Sequence, residues 1–154
     1  MDIRLAVPAD IPRIIALLRQ VGQVHHELRP DLFRAGAQKY DEAALERLLQ
    51  DPSRPVFAAI VDGQLCGYCF CIHQVTKDDP VLMDRKNLYI DDLCVDEACR
   101  GRGIAAALYA HTLEHARKEG FDAITLNVWS GNSAEIFYQK MGLKPQKVGM
   151  EFIL

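Results

Sequence analysis

The chain has 154 residues, of which 49% are hydrophobic, so its length and composition favour one globular domain over residues 1–154 and argue against a disordered chain. Its net charge of −3 disfavours nucleic acid as a partner, because nucleic-acid-binding domains usually carry a basic excess. No apolar run is long enough to span a membrane and the first residues have no signal-peptide pattern, so we expect a cytoplasmic protein without a membrane partner.

The first third of the chain predicts one strand and two helices. Ile3–Leu5 has the pattern of a short strand, and apolar residues at helical spacing predict a helix from about Ile11 to His25. A second apolar stripe predicts another helix over Asp41–Gln50. The segment from Gly22 to Gly36, which begins before the first helix ends, carries no motif that identifies a function.

The middle of the chain predicts three strands. Val56–Val61 is followed by Asp62-Gly63, a dipeptide typical of a hairpin turn, so Leu65–His73 is expected to be the antiparallel partner strand. Thr76–Lys86 is polar and contains a proline, which indicates a loop. The apolar and β-branched residues of Asn87–Val95 then predict a mostly buried strand.

The last third alternates between helices and strands. Ile104–Lys118 is rich in alanine and leucine and predicts a helix that ends at Gly120. Phe121–Val128 predicts a strand, Asn132–Lys140 a short helix and Val148–Leu154 a closing strand. This order of elements predicts an α/β or α+β domain with a mixed sheet.

A glycine-rich turn lies where the chain enters the helix predicted after the buried strand. Gly101 and Gly103 have no Cβ, so a ligand can approach the backbone closely there. The first amides of a helix have no intrahelical acceptor, and with the helix dipole they favour an anion, most often a phosphate. Arg100 and Arg102 add positive charge. The alternative is a solvated basic turn before an ordinary helix.

The motif Arg100-x-x-Gly103-x-Ala105 resembles the Arg/Gln-x-x-Gly-x-Gly/Ala signature of the GNAT acyltransferases, which bind acetyl-coenzyme A. The strand before it, with its acidic pair, also resembles this family. Downstream, Ile136–Leu143 resembles the family's Phe-Tyr-x-x-x-Gly-Phe/Leu helix end. The resemblance covers residues 55–145 well and the rest of the chain in outline.

The resemblance implies a single GNAT-like domain with a mixed, mostly antiparallel sheet and about four flanking helices. The sheet would splay apart between the strand that ends at Val95 and the strand near Leu126, with coenzyme A in the gap. Backbone of the first strand would pair with the pantetheine arm, and amides of the glycine turn would hold the pyrophosphate. The implied cofactor-binding residues are Leu93, Cys94, Val95, Arg100, Gly101, Arg102, Gly103, Ile104, Ala105, Ala106 and Asn132.

The resemblance also implies an acid and a base for transfer of an acetyl group to an amine. Tyr138 matches the family's tyrosine that gives a proton to the departing thiolate. Asp91 is the first candidate for the general base and Asp92 the second. Because neighbours on a strand face opposite sides unless a bulge intervenes, we expect at most one of them to face the acceptor. A structural ion pair is the alternative for either carboxylate.

We expect a primary amine on a small molecule or a peptide as the acceptor. In the family the segment after the first helix covers the acceptor site, so His25, His26, Glu27 and Phe33 are candidate substrate contacts, and a helix end with a solvated loop is the alternative. Two other functions stay open: a non-catalytic acyl-coenzyme A-binding module, and a toxin of the same fold that acetylates transfer RNA. Dimers are frequent in the family, so a homodimer is a further partner to consider.

Five cysteines, an odd number, favour free thiols. Cys66, Cys69 and Cys71 lie within a predicted strand, whose alternation would place Cys66 on the face opposite to the other two. No second ligand pair follows at zinc spacing, so buried thiols are favoured over a zinc site. The helical sequence His111-Thr112-Leu113-Glu114-His115 matches a zinc-protease motif, but no matching Glu-bearing helix stands out downstream as the source of a third ligand. We therefore expect no metal.

Overall fold

Five strands form one sheet, and they lie side by side in the order in which they occur in the chain. The protein is described by a computed structural model that covers residues 1–154. The strands are β1 (Asp2–Leu5), β2 (Val56–Val61), β3 (Gln64–Thr76), β4 (Arg85–Val95) and β5 (Ala123–Leu126). The helices are α1 (Ile11–Leu28), α2 (Glu42–Leu48), α3 (Ile104–Lys118) and α4 (Ala134–Lys140). None of them combines the length and the apolar character that a membrane span requires.

The sheet is antiparallel from β1 to β4, and β5 joins it in parallel. The mixed, mostly antiparallel sheet with four helices is therefore confirmed. The β2–β3 hairpin turns at Asp62 and Gly63, both with positive φ, as that dipeptide predicts. Pairing between β4 and β5 runs only from Asn87 opposite Ala123 to Ile90 opposite Leu126. Beyond this point the two strands separate, which leaves one edge of residues 91–95 unpaired.

Two apolar cores cover the two faces of the sheet. On one face, α1 and α2 bury leucine and isoleucine side chains such as Ile14, Leu17 and Leu45. On the other face, α3 packs Ile104 and Leu108 against the cysteine-rich side of β3. This second contact is close, because a Cβ at Gly67 would lie 2.8 Å from the Cys94 carbonyl oxygen and 3.2 Å from the Leu108 side chain. Glycine at position 67 therefore allows α3 to approach the sheet.

Two β-bulges change which face the side chains occupy. Cys66 is the extra residue between the pairs Ala59–Gly67 and Ile60–Leu65. It therefore lies in the same core as Cys69 and Cys71, and the prediction that it faces the opposite side was wrong. Asp91 is the corresponding extra residue of β4, because Phe70 pairs with Asp92 and Cys71 pairs with Ile90.

The closing strand predicted over Val148–Leu154 is wrong for this structure. Residues 144–154 form no strand and make no backbone hydrogen bond, so their alternating apolar pattern is not matched by strand pairing within the chain. Other boundaries shift by a few residues: α1 continues to Leu28, and β5 is limited to the four residues that pair with β4. The helix predicted over Ile104–Lys118 has those boundaries in the structure.

Two histidines lie in an apolar, aromatic environment beneath α3. The His115 ring packs 5.2 Å from the Phe57 ring, and the His73 ring packs 4.7 Å from the Phe121 ring. The Nε2 atoms of both histidines are buried and have no hydrogen-bond partner. Burial disfavours the charged imidazolium, so the pKa of each histidine lies below its ordinary value of 6.5.

This burial predicts that the protein loses stability in mild acid. In the unfolded chain both rings regain the ordinary pKa, so they take up protons there first as the pH falls, and the free energy of unfolding decreases. Urea unfolding between about pH 7.5 and 5.5 should show this loss, and His115→Phe should reduce its slope. Equal slopes for the parent and the variant would contradict the prediction.

Candidate functional site

A cavity of about 310 Å³ opens at the N-terminal end of α3, beside the end of β4. Seven of the eleven residues predicted to bind the cofactor lie in its wall, and Cys99, Phe137 and Met141 complete it. Phe137 and Met141 belong to α4 and its end, so the helix that carries Tyr138 forms one side of the cavity. The seven predicted residues are Val95, Arg100, Gly101, Gly103, Ile104, Ala105 and Ala106.

The backbone around α3 has the form of an anion site. Gly101 and Gly103 both have left-handed φ values, of 76° and 74°, which L side chains rarely adopt. The first backbone bond of the helix runs from the Ala107 N–H to the Gly103 carbonyl, at 3.0 Å. The N–H groups of residues 104–106 therefore have no acceptor within the helix, and they lie at the positive end of its dipole. A diphosphate fits this charge pattern.

Leu93 and Cys94 direct their side chains away from the gap. Leu93 packs against the core on the α3 face. Cys94 is buried against α1, where its thiol lies 3.8 Å from the Leu17 carbonyl oxygen. Only the main chain of these two residues is open to a ligand, because their β4 edge has no partner beyond Ile90.

Arg102 and Asn132 do not line the cavity. The Arg102 guanidinium is exposed and lies 3.4 Å from the Asp62 carboxylate, on the hairpin turn. The Asn132 side chain accepts a hydrogen bond of 2.9 Å from the Ala134 N–H, the first amide of α4. In this structure both side chains are occupied with contacts of their own chain.

Asp96 is a positioning residue that the sequence analysis missed. It is buried between β4 and the glycine turn, where it forms an ion pair with Arg13 of α1. It also accepts hydrogen bonds from the Ala98 N–H at 3.1 Å and from Gln20 at 3.3 Å. These contacts tie α1 to the turn that leads into the cavity. The sequence signal was an Asp with the spacing of a helix cap, one residue after the predicted strand.

We predict that Asp96→Ala lowers the free energy of unfolding by about 2–3 kcal/mol, because it leaves Arg13 without its partner and removes a cap. Asp62→Asn is the control, because Asp62 has a positive φ that asparagine tolerates better than alanine does. The Asp62 side chain is 88% exposed, against 7% for Asp96, so loss of its pair with Arg102 should change stability by at most about 0.5 kcal/mol. Chemical unfolding of both variants measures the difference, and equal losses would contradict a special role for Asp96.

The two candidate bases reach the same face of the sheet because Asp91 is a bulge residue. The Asp91 carboxylate accepts a hydrogen bond of 2.7 Å from the Lys39 ammonium, and the Tyr40 hydroxyl lies 3.4 Å away. The Asp92 carboxylate accepts a hydrogen bond of 2.7 Å from the Tyr68 hydroxyl. We expected the two carboxylates to face opposite sides unless a bulge intervened. A bulge does intervene at Asp91, so the two carboxylates lie on the same side.

Burial raises the pKa of both Asp92 and Tyr138, with a different consequence for each. Removal from water raises the pKa of Asp92, although the Tyr68 hydrogen bond and the charges of Lys39 and His25 oppose the rise. Burial also raises the pKa of Tyr138, and the nearby Cys69 and Asp92 add to this effect. Asp92 thus gains proton affinity relative to an exposed aspartate. Tyr138 keeps its proton at neutral pH.

The segment between α1 and α2 borders the same region. His25, His26 and Glu27 lie in the last turn of α1, and the Phe33 carbonyl is bonded to the His26 ring at 2.7 Å. The Phe33 ring packs 5.0 Å from His25 and 5.7 Å from Trp129, which follows β5. Glu27 instead accepts a hydrogen bond from Gln23 of its own helix. Phe33 and Trp129 therefore connect the α1 side of the gap with the β5 side.

The side chains of the His-x-x-Glu-His motif on α3 do not converge on one point. The rings of His111 and His115 both pack on Phe57, whereas Glu114 lies 3.6 Å from Lys118 on the outer face of α3. The glutamate therefore does not face the space between the two histidines. All five cysteines are buried free thiols, as the sequence analysis predicts.

Comparison with known proteins places the cavity in context. A profile of the Acetyltransferase (GNAT) family matches residues 21–143. N-acetyltransferase 8B of Homo sapiens is 34% identical over 99 residues, an alignment that covers 56% of this chain and 42% of the human protein. The chain thus spans about two fifths of the length of this relative.

Two solved structures have the same fold over their whole length. A mutant of the BH1408 protein from Bacillus halodurans has a TM-score of 0.95 at 30% identity and covers 100% of this chain and 99% of its own. The aminoglycoside N-acetyltransferase AAC(6')-Iy, solved in complex with CoA, has a TM-score of 0.72 at 16% identity and covers 99% and 98% of the two chains. The second likeness is one of fold alone.

Proposed function

Since this chain belongs to the GNAT acetyltransferase family, we propose that it transfers the acetyl group of acetyl-coenzyme A to a primary amine. One observation carries the proposal: a cavity at the N-terminus of α3 whose wall contains Arg100, Gly103 and Ala105 of the family signature and the helix that bears Tyr138. The pyrophosphate would bind the free amides of residues 104–106 and the Arg100 side chain. An anion of this size suits the charge pattern of the turn.

The unpaired edge of β4 supports the proposal that the pantetheine arm binds along it. Residues 91–95 lack a partner strand beyond Ile90, so their N–H and C=O groups can bond the amides of an extended ligand, as an added strand does. The bulge at Asp91 interrupts the regular ladder at the start of this edge. A free amide there would polarise the thioester carbonyl.

Asp92 is the better candidate for the general base, and Asp91 is the better candidate for binding the acceptor amine. An alkyl amine has a pKa of about 10.4, so it arrives as an ammonium and must lose a proton before it can attack. The raised pKa of Asp92 suits that task, directly or through water. Asp91 already holds the ammonium of Lys39, which supports a site that accepts a cationic primary amine.

From an ammonium, the proposed reaction must remove two protons from nitrogen and deliver one to sulfur. Asp92 takes the first proton, directly or through water, and passes it to solvent; the neutral amine then attacks the thioester carbonyl, so the C–N bond forms as the C–S bond breaks. The Tyr138 hydroxyl protonates the departing thiolate, and the resulting phenolate takes the second proton that nitrogen loses as the amide forms. The raised pKa of Tyr138 keeps that hydroxyl protonated until the thiolate forms. His25, Phe33 and Trp129 would contact the rest of the acceptor.

Calorimetry with coenzyme A and thiol release with a panel of primary amines test the proposal. We expect coenzyme A to bind and thiol to be released with cationic amines. Tyr138→Phe should bind coenzyme A normally and lose about 10²-fold in turnover, because only the proton donor is removed. No binding would refute the proposal, and binding without turnover on any amine would favour the non-catalytic acyl-coenzyme A-binding module.

The two carboxylates give a second, sharper test. We predict that Asp92→Asn lowers kcat by about 10²-fold or more, since it removes the base. Asp91→Asn should mainly raise KM for cationic amines, because it removes an ion-pair partner. In the parent enzyme kcat/KM should fall as the pH drops below the raised pKa of Asp92, where the base becomes protonated. A main effect of Asp92→Asn on KM and of Asp91→Asn on kcat would overturn this assignment of roles.

A further inference from the structure

Lys39 places an amine of the chain itself beside the two candidate carboxylates. Its ammonium lies 2.7 Å from the Asp91 carboxylate, and its side chain is 45% exposed, against 16% for that of Asp91. Burial disfavours the ammonium, but the hydrogen bond to Asp91 and the charges of Asp91 and Asp92 more than offset this effect, so the pKa of Lys39 is raised. Lys39 is therefore close enough to both carboxylates to interact with their charges.

The segment that carries Lys39 is anchored on both sides of this residue. On one side, the Gln38 side chain accepts a hydrogen bond of 2.9 Å from Arg19 of α1 and donates one of 2.7 Å to the Tyr40 carbonyl. On the other side, the Tyr40 ring packs 5.8 Å from the Phe70 ring of β3. The fold therefore positions Lys39 at the carboxylates, in contrast to a lysine on a free surface loop.

The proposed path of the pantetheine arm ends at this amine. The anion site lies beside Val95, and the unpaired edge of β4 runs from there back to Asp91, about 13 Å away at the usual rise of a strand. An extended ligand that begins at the anion site therefore brings its far end to the bulge at Asp91. Burial raises the pKa of Tyr138 and the charge of Asp92 adds to the rise, so the candidate acid is also near this point.

We propose that Lys39 is an internal acceptor, and that the domain transfers one acetyl group from acetyl-coenzyme A to the Lys39 nitrogen of its own chain. This inference rests on the proposed function, because it uses the same donor, base and acid. Asp92 takes the first proton of the ammonium and passes it to solvent. The neutral nitrogen then attacks the thioester carbonyl, and the C–N bond forms as the C–S bond breaks. Tyr138 protonates the departing thiolate, and its phenolate takes the second proton that nitrogen loses.

Acetylation of Lys39 changes the site that performs it. The amide that forms carries no charge, so the ion pair with Asp91 is lost and this carboxylate becomes available to an external ammonium. Burial raises the pKa of Asp92 and the charge of Lys39 opposes the rise, so loss of that charge lets the pKa rise further. One internal turnover thus converts a site occupied by its own lysine into one that is open to acceptors.

Intact-mass measurement of the full chain with saturating acetyl-coenzyme A and no other amine tests the proposal. We expect the parent to gain one acetyl group, which peptide mapping assigns to Lys39, at a rate that does not change on dilution, because the acceptor belongs to the same chain. Lys39→Arg keeps the positive charge beside Asp91 but lacks the amine, so it should not gain this group. Lys86→Arg is the matched control: the Lys86 ammonium is also held by a hydrogen bond, 2.6 Å from the Glu119 carbonyl, and this variant should react like the parent.

Tyr138→Phe distinguishes catalysed from purely chemical acetylation. This variant should modify Lys39 about 10²-fold more slowly than the parent, because it lacks the proton donor. An equal rate would mean chemical acetylation only and would overturn the inference. An unmodified Lys39 in protein that releases thiol with external amines, or a rate that rises with protein concentration, would also overturn it and would leave the proposed acetyl transfer intact. Protein that does not bind coenzyme A, or that binds it without turnover on any amine, would refute the proposed function and this inference together.

Discussion

The candidate site depends on the point at which β4 and β5 stop pairing. Up to Ile90 and Leu126 the two strands share hydrogen bonds, and after it they diverge. Each unpaired residue of β4 exposes backbone donors and acceptors, and buried groups of this kind require a partner. The divergence therefore does two things at once: it opens the space for a ligand and it leaves a polar edge that an extended ligand can satisfy.

Helix α1 supports both ends of this space. Near its start, Arg13 holds Asp96 and with it the turn that leads to the N-terminus of α3. Near its end, His25 packs on Phe33, which in turn contacts Trp129 beyond β5. The proposed phosphate side and the proposed acceptor side are thus positioned by the same helix. A rigid support of this kind suits a reaction that depends on the placement of two substrates.

Lys39 gives the acidic pair an unusual environment. Its ammonium forms an ion pair with Asp91 and stabilises the charged form of the half-buried Asp92 nearby. It comes from the segment between α1 and α2, 52 residues away in the chain from Asp91. In the proposed reaction an acceptor ammonium would compete with this lysine for Asp91, so the ion pair would affect which amines bind. The hydrogen bond that the Tyr68 hydroxyl donates to Asp92 fixes the orientation of the Asp92 carboxylate.

The sequence by itself determined most of the helices and strands and the glycine-rich turn, because helical periodicity and glycine spacing are local properties of the chain. Ile104–Lys118 and the turn at Gly101 and Gly103 could be predicted for that reason. Only the tertiary structure decided which face Cys66 and Asp91 occupy, since a β-bulge depends on register between strands. It also decided the partners of Asp96 and Lys39, because these contacts join residues that are distant in the sequence. It left residues 144–154 without a strand partner.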